Sequence, residues 1–195
     1  MLGNKNYRHE LEFLLIKEFV PSGYQITQKV TLDPTSESAK YEGLNFHLNG
    51  RSIVYRKGKV TSDRPGAFLA VWQRPSEDLN NNKPIPLTSD DLDYLFIQVE
   101  SHSNIVEGLE HSTKYGMFIF PVSLLVEKGI LASVKSKGKT GFRVFPPWSE
   151  DRGGGGTQLF SESGKKTQRW QIPFFVDIDE NGLINPCELK KLLQI

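Results

Sequence analysis

Apolar Leu11, Leu14, Leu15 and Phe19 recur three and four positions apart with Glu and Lys between them. That period predicts an amphipathic helix from about Lys5 to Phe19, with one face on a sheet, ended by Pro21-Ser22-Gly23. The stretch Asp33 to Ala39 is polar, carries Pro34 and reads as a loop. Asn45 to Leu48 and Ile53 to Lys57 then flank Asn49-Gly50, the strongest short signal for a tight hairpin. Ala67 to Gln73 is almost wholly apolar or aromatic, which predicts a third strand, buried on both faces.

Glu77 to Asp90, with Asn80-Asn81-Asn82 and two prolines, has the chemistry of a surface loop. Tyr94 to Val99 and Met117 to Phe120 read as core strands. Pro121 suits the first turn of a helix running through Leu125 to Lys128, and Gly129 suits its cap. Phe142 to Phe145 reads as a last strand. The polar run Ser149 to Lys166, with Gly153-Gly154-Gly155-Gly156, is too flexible to pack, and a short helix follows over Thr167 to Phe175. The order gives an α/β protein of mixed type: a single mixed β-sheet covered by helices in three layers. We divide it into one domain, 1–176, and a C-terminal appendage, 177–195, packed on it or trailing it.

Length and charge narrow the function classes. A chain of 195 residues can bury a full core, and a formal charge of +1 gives no global pull toward nucleic acid or an anionic membrane, so any basic footprint is local. The single Cys187 allows no intrachain disulfide and fits a reducing, cytoplasmic compartment. The apolar run Leu11 to Val20 is interrupted by Glu12, Lys17 and Glu18, so we expect no membrane partner.

The segment Lys137 to Trp148 reads KGKTGFRVFPPW, and Thr167-Gln168-Arg169-Trp170-Gln171 follows. Together with Tyr41-Glu42, Phe46-His47-Leu48-Asn49-Gly50, Tyr55-Arg56, Trp72-Gln73-Arg74 and Gly116 to Pro121, this pairing resembles the signature of the MepB-like family. The resemblance implies a bacterial protein with a restriction-endonuclease-like fold. Ser62, Gln73 and Val122 depart from the family's pattern, the last two by removing a lysine each, which weakens a phosphate-binding role at those sites.

Nuclease chemistry on such a fold needs an acid beside an Asp/Glu-x-Lys tripeptide on adjacent strands, to hold a divalent metal and position water. No expected core strand contains that tripeptide; Glu188-Leu189-Lys190 lies in the tail. Glu42 and Asp93 are the carboxylates an enzyme would use, with Glu100 nearby, but the balance leans away from an enzyme. His9, His47, His102 and His111 show no ligand spacing. Cations beside flat rings remain: Arg56, Lys59, Arg74, Lys139, Arg143, Trp148 and Trp170 form the candidate ligand site, where a guanidinium or ammonium holds phosphate while a base stacks. The competing reading places the Trp residues in the core and the cations on an ordinary surface.

Asp177 to Glu188 matches the twelve-position calcium loop, with oxygens from Asp177, Asp179, Asn181, Leu183 and Glu188 and a turn at Gly182. The same residues also read as strand, turn and helix start, with Asn185 as N-cap, Pro186 first and Leu189 to Leu193 helical. Three functions are thus open. One is a cytoplasmic binding protein for a nucleic-acid or nucleotide-like phosphate ligand on a degenerate nuclease-like core. The second is a metal-dependent nuclease or phosphodiesterase, and the third an interaction module with a Ca2+-stabilised tail.

Overall fold

The computed structural model describes residues 6–74, 83–101, 113–150 and 159–194. The Asn80-Asn81-Asn82 part of the expected loop and the glycine run 153–156 lie outside them. Helix α1 (Asn6–Leu14) continues into a π-helical turn (Leu15–Phe19), and Leu11, Leu15 and Phe19 are buried as the periodicity requires. Strand β1 (Ile26–Leu32), a 3-10 turn (Ser36–Tyr41) and the hairpin β2 (Leu44–Leu48) and β3 (Arg51–Lys57) follow. Both hairpin-turn residues are left-handed, Asn49 at φ 47° and Gly50 at φ 78°, a conformation that this pair tolerates best. Next come β4 (Lys59–Thr61), β5 (Arg64–Ala70), β6 (Trp72–Gln73), β7 (Ile85–Pro86), β8 (Tyr94–Glu100) and β9 (Tyr115–Pro121). The chain ends with α2 (Val122–Glu127), β10 (Gly141–Val144), α3 (Glu162–Gln171), β11 (Phe175–Ile178) and α4 (Pro186–Leu192).

The chain adopts the mixed α/β class. A six-stranded mixed sheet runs in the order β1-β2-β3-β8-β9-β11, with β3 and β8 parallel and the other neighbours antiparallel. The expectation of one sheet needs correcting. The strand read over Ala67 to Gln73 divides into β5 and β6, and β5 lies between β10 and β4 in a separate three-stranded sheet. Alternation is the reason: Ala67, Leu69 and Val71 are buried, whereas Phe68 and Ala70 are only half-buried. Such a strand buries one face, so it covers a larger sheet instead of joining its middle.

Two cores result. On one face of the large sheet Phe46, Tyr55, Phe96 and Ile119 pack under α1 and α4, whose Leu189 is fully buried. On the other face Leu95, Ile97, Phe118 and Phe120 pack against Leu69 and Val144 of the small sheet and Leu125 of α2. The boundary drawn at 176/177 falls inside β11, where Val176 and Asp177 pair with Met117 and Gly116 in one continuous ladder. The expected helix over Thr167 to Phe175 starts earlier and stops sooner. Ser161 caps it by accepting from the Gly164 amide at 3.1 Å, and Pro173 lies in the 3-10 turn (Ile172–Phe174) that ends it before Phe175 joins β11.

Strand β10 is an edge of the small sheet, and its outer side is closed by a side chain. Gln171, with no exposed surface, accepts from the Phe145 amide at 2.8 Å and donates to the Arg143 carbonyl at 3.0 Å, as a neighbouring strand would. Gln168 adds a bond to the Pro146 carbonyl at 2.9 Å. Replacing Gln171 with Ala leaves an amide and a carbonyl buried without partners, and orphaned groups cost roughly 1–3 kcal/mol each. We predict a loss of about 2–4 kcal/mol for Gln171→Ala in urea unfolding. A loss below about 0.5 kcal/mol, the level of an ordinary surface change, would show that α3 is not held by this amide.

Candidate functional site

Docking α3 along β10 leaves a groove of about 400 Å³ between them. Lys128, Lys139 and Arg143 line it with Phe145, Trp170 and the first turn of α3, and no Asp or Glu is among its described lining residues. Each cation has a clear structural origin. Lys128 follows α2 and lies over the Trp170 ring at 5.7 Å, while its ammonium also meets Glu127 at 2.7 Å. Lys139 is exposed on the turn before β10, with its amide donating to the Ile130 carbonyl at 2.8 Å. The Arg143 guanidinium donates to Thr61 Oγ1 at 2.9 Å and the Pro65 carbonyl at 3.3 Å, over the Phe68 ring at 5.9 Å. Gly141 lets that ring lie across β10, since a Cβ there would come within 2.6 Å of it. The α3 N-terminus adds a partial positive charge.

A second, larger groove of about 680 Å³ lies on the sheet face formed by β2 and β3, beside β6. Its floor holds Arg56, only 1% exposed, whose guanidinium pairs with Asp33 at 2.5 Å and donates to the Tyr55 carbonyl at 2.8 Å. Burial pulls the Arg56 pKa down, and the Asp33 carboxylate opposes that shift. Arg74 pairs with Glu37 at 2.5 Å and lies over Trp72 at 5.0 Å. Hydrogen bonding to Arg74 is the main reason the Glu37 pKa falls to about 2. Gln73 donates to Asp91 at 2.9 Å.

The seven expected ligand residues therefore separate. Lys139, Arg143 and Trp170 converge in the cationic groove. Arg56 and Arg74 sit in the larger one, each against a carboxylate. Lys59 lies across the small sheet from Arg143, both registering with Phe68, and covers the Tyr41 ring at 5.5 Å. Trp148 packs edge-on against Phe175 at 5.4 Å, as the core reading had it, and Trp170 also meets Phe120 at 5.6 Å.

Glu42 and Asp93 are not brought together. Asp93 accepts from the Ser52 amide at 2.8 Å at the start of β3, and Glu42 meets Lys57 at 3.6 Å at its end. Five residues of strand span about 16 Å, beyond any shared metal. Glu42 is instead joined by Glu100, 3.2 Å from the same Lys57. Burial raises the Glu42 pKa despite that ammonium; burial lowers the Lys57 pKa, but Glu42 and Glu100 outweigh it and hold it high.

In the loop after β11, Asp179 Oδ1 accepts from the amides of Asn181 and Leu183, and the Leu183 carbonyl accepts from the Asp179 amide. Lys17 donates to the Asn181 carbonyl at 2.5 Å, and Glu18 accepts from the Ile184 amide at 2.9 Å. Asp177 lies in β11 and Asn185 caps α4. Among the described residues no three His, Cys, Asp or Glu side chains are grouped to hold a metal ion.

A family model described as MepB-like matches residues 35–177. The chain belongs to the MepB-like family. A crystal structure of MepB is similar over 89% of this chain and 97% of that one, at 27% identity and a TM-score of 0.63. No curated protein matches. The two blocks on which the resemblance was read, 137–148 and 167–171, both contribute to the cationic groove, the second through Thr167 and Trp170, and Gln168 and Gln171 join them. Sequence reasoning missed Lys128, Gln171 and the Lys57 cluster. Lys128 beside Gly129 at the end of a helix was the available signal for the first; the other two depend on long-range pairing.

The Glu37 carboxyl sets a pH prediction. Its pKa is depressed from 4.5 to about 2, so its contribution to stability is full above pH 4.5 and lost as pH falls toward about 2. Melting temperature followed over that window should fall less steeply in Glu37→Gln than in the parent. Parallel curves would show that the Arg74 pair does not bear on acid unfolding.

Proposed function

We propose that this MepB-like protein binds a phosphate-bearing ligand of nucleic-acid or nucleotide type in the groove between β10 and α3, acting in the cytoplasm. The carrying observation is the convergence of Lys128, Lys139 and Arg143 beside the Trp170 ring, with no carboxylate among the described lining residues. A chain of net charge +1 offers no general attraction for polyanions, so a local cluster of three cations has to supply it. Cations hold phosphates and a flat ring offers a stacking surface to a base, the division of labour in single-strand binders. The single Cys187 is free, in keeping with a reducing compartment.

Binding without catalysis is favoured by the carboxylates. Glu42 and Asp93 lie at opposite ends of β3, and the pair that does meet, Glu42 and Glu100, closes on the Lys57 ammonium. A cation of the chain's own thus occupies the position a divalent metal would need. We assign the Asp177 to Glu188 loop a structural part: Lys17 and Glu18 tie it to the N-terminal helix, and its Asn185 starts α4.

Fluorescence anisotropy of a labelled oligothymidylate of about 12 nucleotides, at about 50 mM salt, tests the proposal. Lys139→Glu and Lys128→Glu should each weaken binding about tenfold or more. Each should also lower the slope of log affinity against log salt by about 0.7 per lost phosphate contact. Absence of binding at low salt, or variants that bind as tightly as the parent, would overturn it.

A further inference from the structure

Building on the reading of the cationic groove as a phosphate site, we infer that its ligand is a polynucleotide strand and not a free nucleotide. The reason is a rigid basic ledge, 128–139, whose two ends line the groove and whose lysines continue beyond it. From Lys128 to Arg143 the sequence carries five cations, Lys128, Lys135, Lys137, Lys139 and Arg143, and no acid. In a chain of net charge +1 that is a strong local excess. Only Lys128, Lys139 and Arg143 of the five line the groove, so Lys135 and Lys137 are left over on the ledge beside it.

The ledge is held in one shape. Its ends meet where the Lys139 amide donates to the Ile130 carbonyl at 2.8 Å. Ile130 and Leu131 are buried, and the Ala132 amide donates to the Leu87 carbonyl at 2.8 Å. Ser133 and Ser136 then exchange backbone bonds at 2.8 and 3.2 Å around a turn tipped by Val134 and Lys135. The Ser136 hydroxyl accepts from the Gly138 amide at 3.2 Å and donates to the Gly129 carbonyl at 3.5 Å, which folds the turn back beside Lys128. Gly138, at φ 73°, makes the return possible, since a Cβ there would meet the Ala132 backbone nitrogen at 2.6 Å. Lys135, Lys137 and Lys139 are all exposed on this frame.

Size decides between the two kinds of ligand. The groove, at about 400 Å³, is near the lower end for a small-molecule pocket, which suits a single nucleotide. From Lys135 to Lys139 the chain spans at most about 14 Å, enough to face more than one further phosphate. A free nucleotide would leave Lys135 and Lys137 unused. A strand whose base stacks on Trp170 in the groove carries its next phosphates past them, and each phosphate neutralised adds affinity whatever the base. Lysine fits this task, because a point charge on a flexible stem follows a backbone of variable path. Val134 is fully exposed at the tip, but a lone apolar side chain is ordinary on a surface and is no membrane anchor by itself.

The test is a length series on the full chain at low salt, with thymidine monophosphate and 5'-phosphorylated oligothymidylates of about two to about twelve nucleotides. Affinity should rise at least about tenfold between about two and about six nucleotides, more than added registers supply, and then flatten. The double variant Lys135→Glu, Lys137→Glu should weaken the longest strand about tenfold and lower its salt slope by about 1.4, the loss shrinking as the strand is shortened. Lys190→Glu with Lys191→Glu makes the same charge change on α4, across the large sheet, and should cost less than about twofold. A monophosphate that binds as tightly as the longest strand, a ledge variant that binds like the parent, or an equal loss in the α4 variant would overturn the inference while leaving the groove a phosphate site. Phosphatidylserine vesicles that bind through the ledge, with a flat length profile for oligonucleotides, would also overturn it and assign the ledge to a membrane surface. Failure of the monophosphate and of every strand to bind would remove the reading of the groove itself, and that of the ledge with it.

Discussion

A single buried amide decides how the C-terminal third of this chain meets the rest. Strand β10 lies at the edge of the small sheet, and its outward Arg143 carbonyl and Phe145 amide would otherwise be buried under α3 without partners. Gln171 supplies an acceptor and a donor at the spacing of a strand, so a helix can lie against a strand edge without leaving the backbone unsatisfied. That contact fixes the rotation of α3. Trp170 then turns to Phe120 and Lys128, and the first turn of the helix faces Lys139 and Arg143. The cationic groove is a consequence of this one docking.

Charge is distributed with the same economy. Arg56, the largest fully buried side chain, is neutralised by Asp33, and removing one partner of such a pair strands the other's charge at a cost of about 3–5 kcal/mol. Lys57 is shared by Glu42 and Glu100. Lys17 and Glu18 secure the C-terminal loop through its backbone. Lys128 likewise meets Glu127, but the groove that Lys128, Lys139 and Arg143 line has no acid among its described lining residues.

Local pattern made much of the fold legible. The N-terminal helix, the Asn-Gly hairpin and the strands β8 and β9 follow from periodicity and turn chemistry alone. Strand β1 escaped because it is an edge with one fully buried position, Val30, and two bulges, so it carries no alternation to read. Strand β11 was read only in part, as the strand that opens the Asp177 to Glu188 segment; its start at Phe175 was hidden because Pro173 and two phenylalanines read as the end of a helix, while the pairing with β9 is long-range. Of the candidate site, Lys139, Arg143 and Trp170 were found through neighbouring aromatic and basic residues. Arg56 and Arg74 carry the same local signal, yet their partners Asp33 and Glu37 come from a segment that reads as an ordinary polar loop. Sequence locates a cation; only the fold decides whether a carboxylate is waiting for it.

The most direct measurement of the central claim is the map of backbone amide shifts when an unlabelled oligothymidylate is titrated into nitrogen-15-labelled protein at low salt. If the Gln171-docked groove is the binding site, the shifts concentrate in residues 137–145 and 159–170 and in the Trp170 indole N–H, and they disappear as salt is raised. Shifts centred instead on residues 33–37 and 72–74, or no shifts at all, would contradict it.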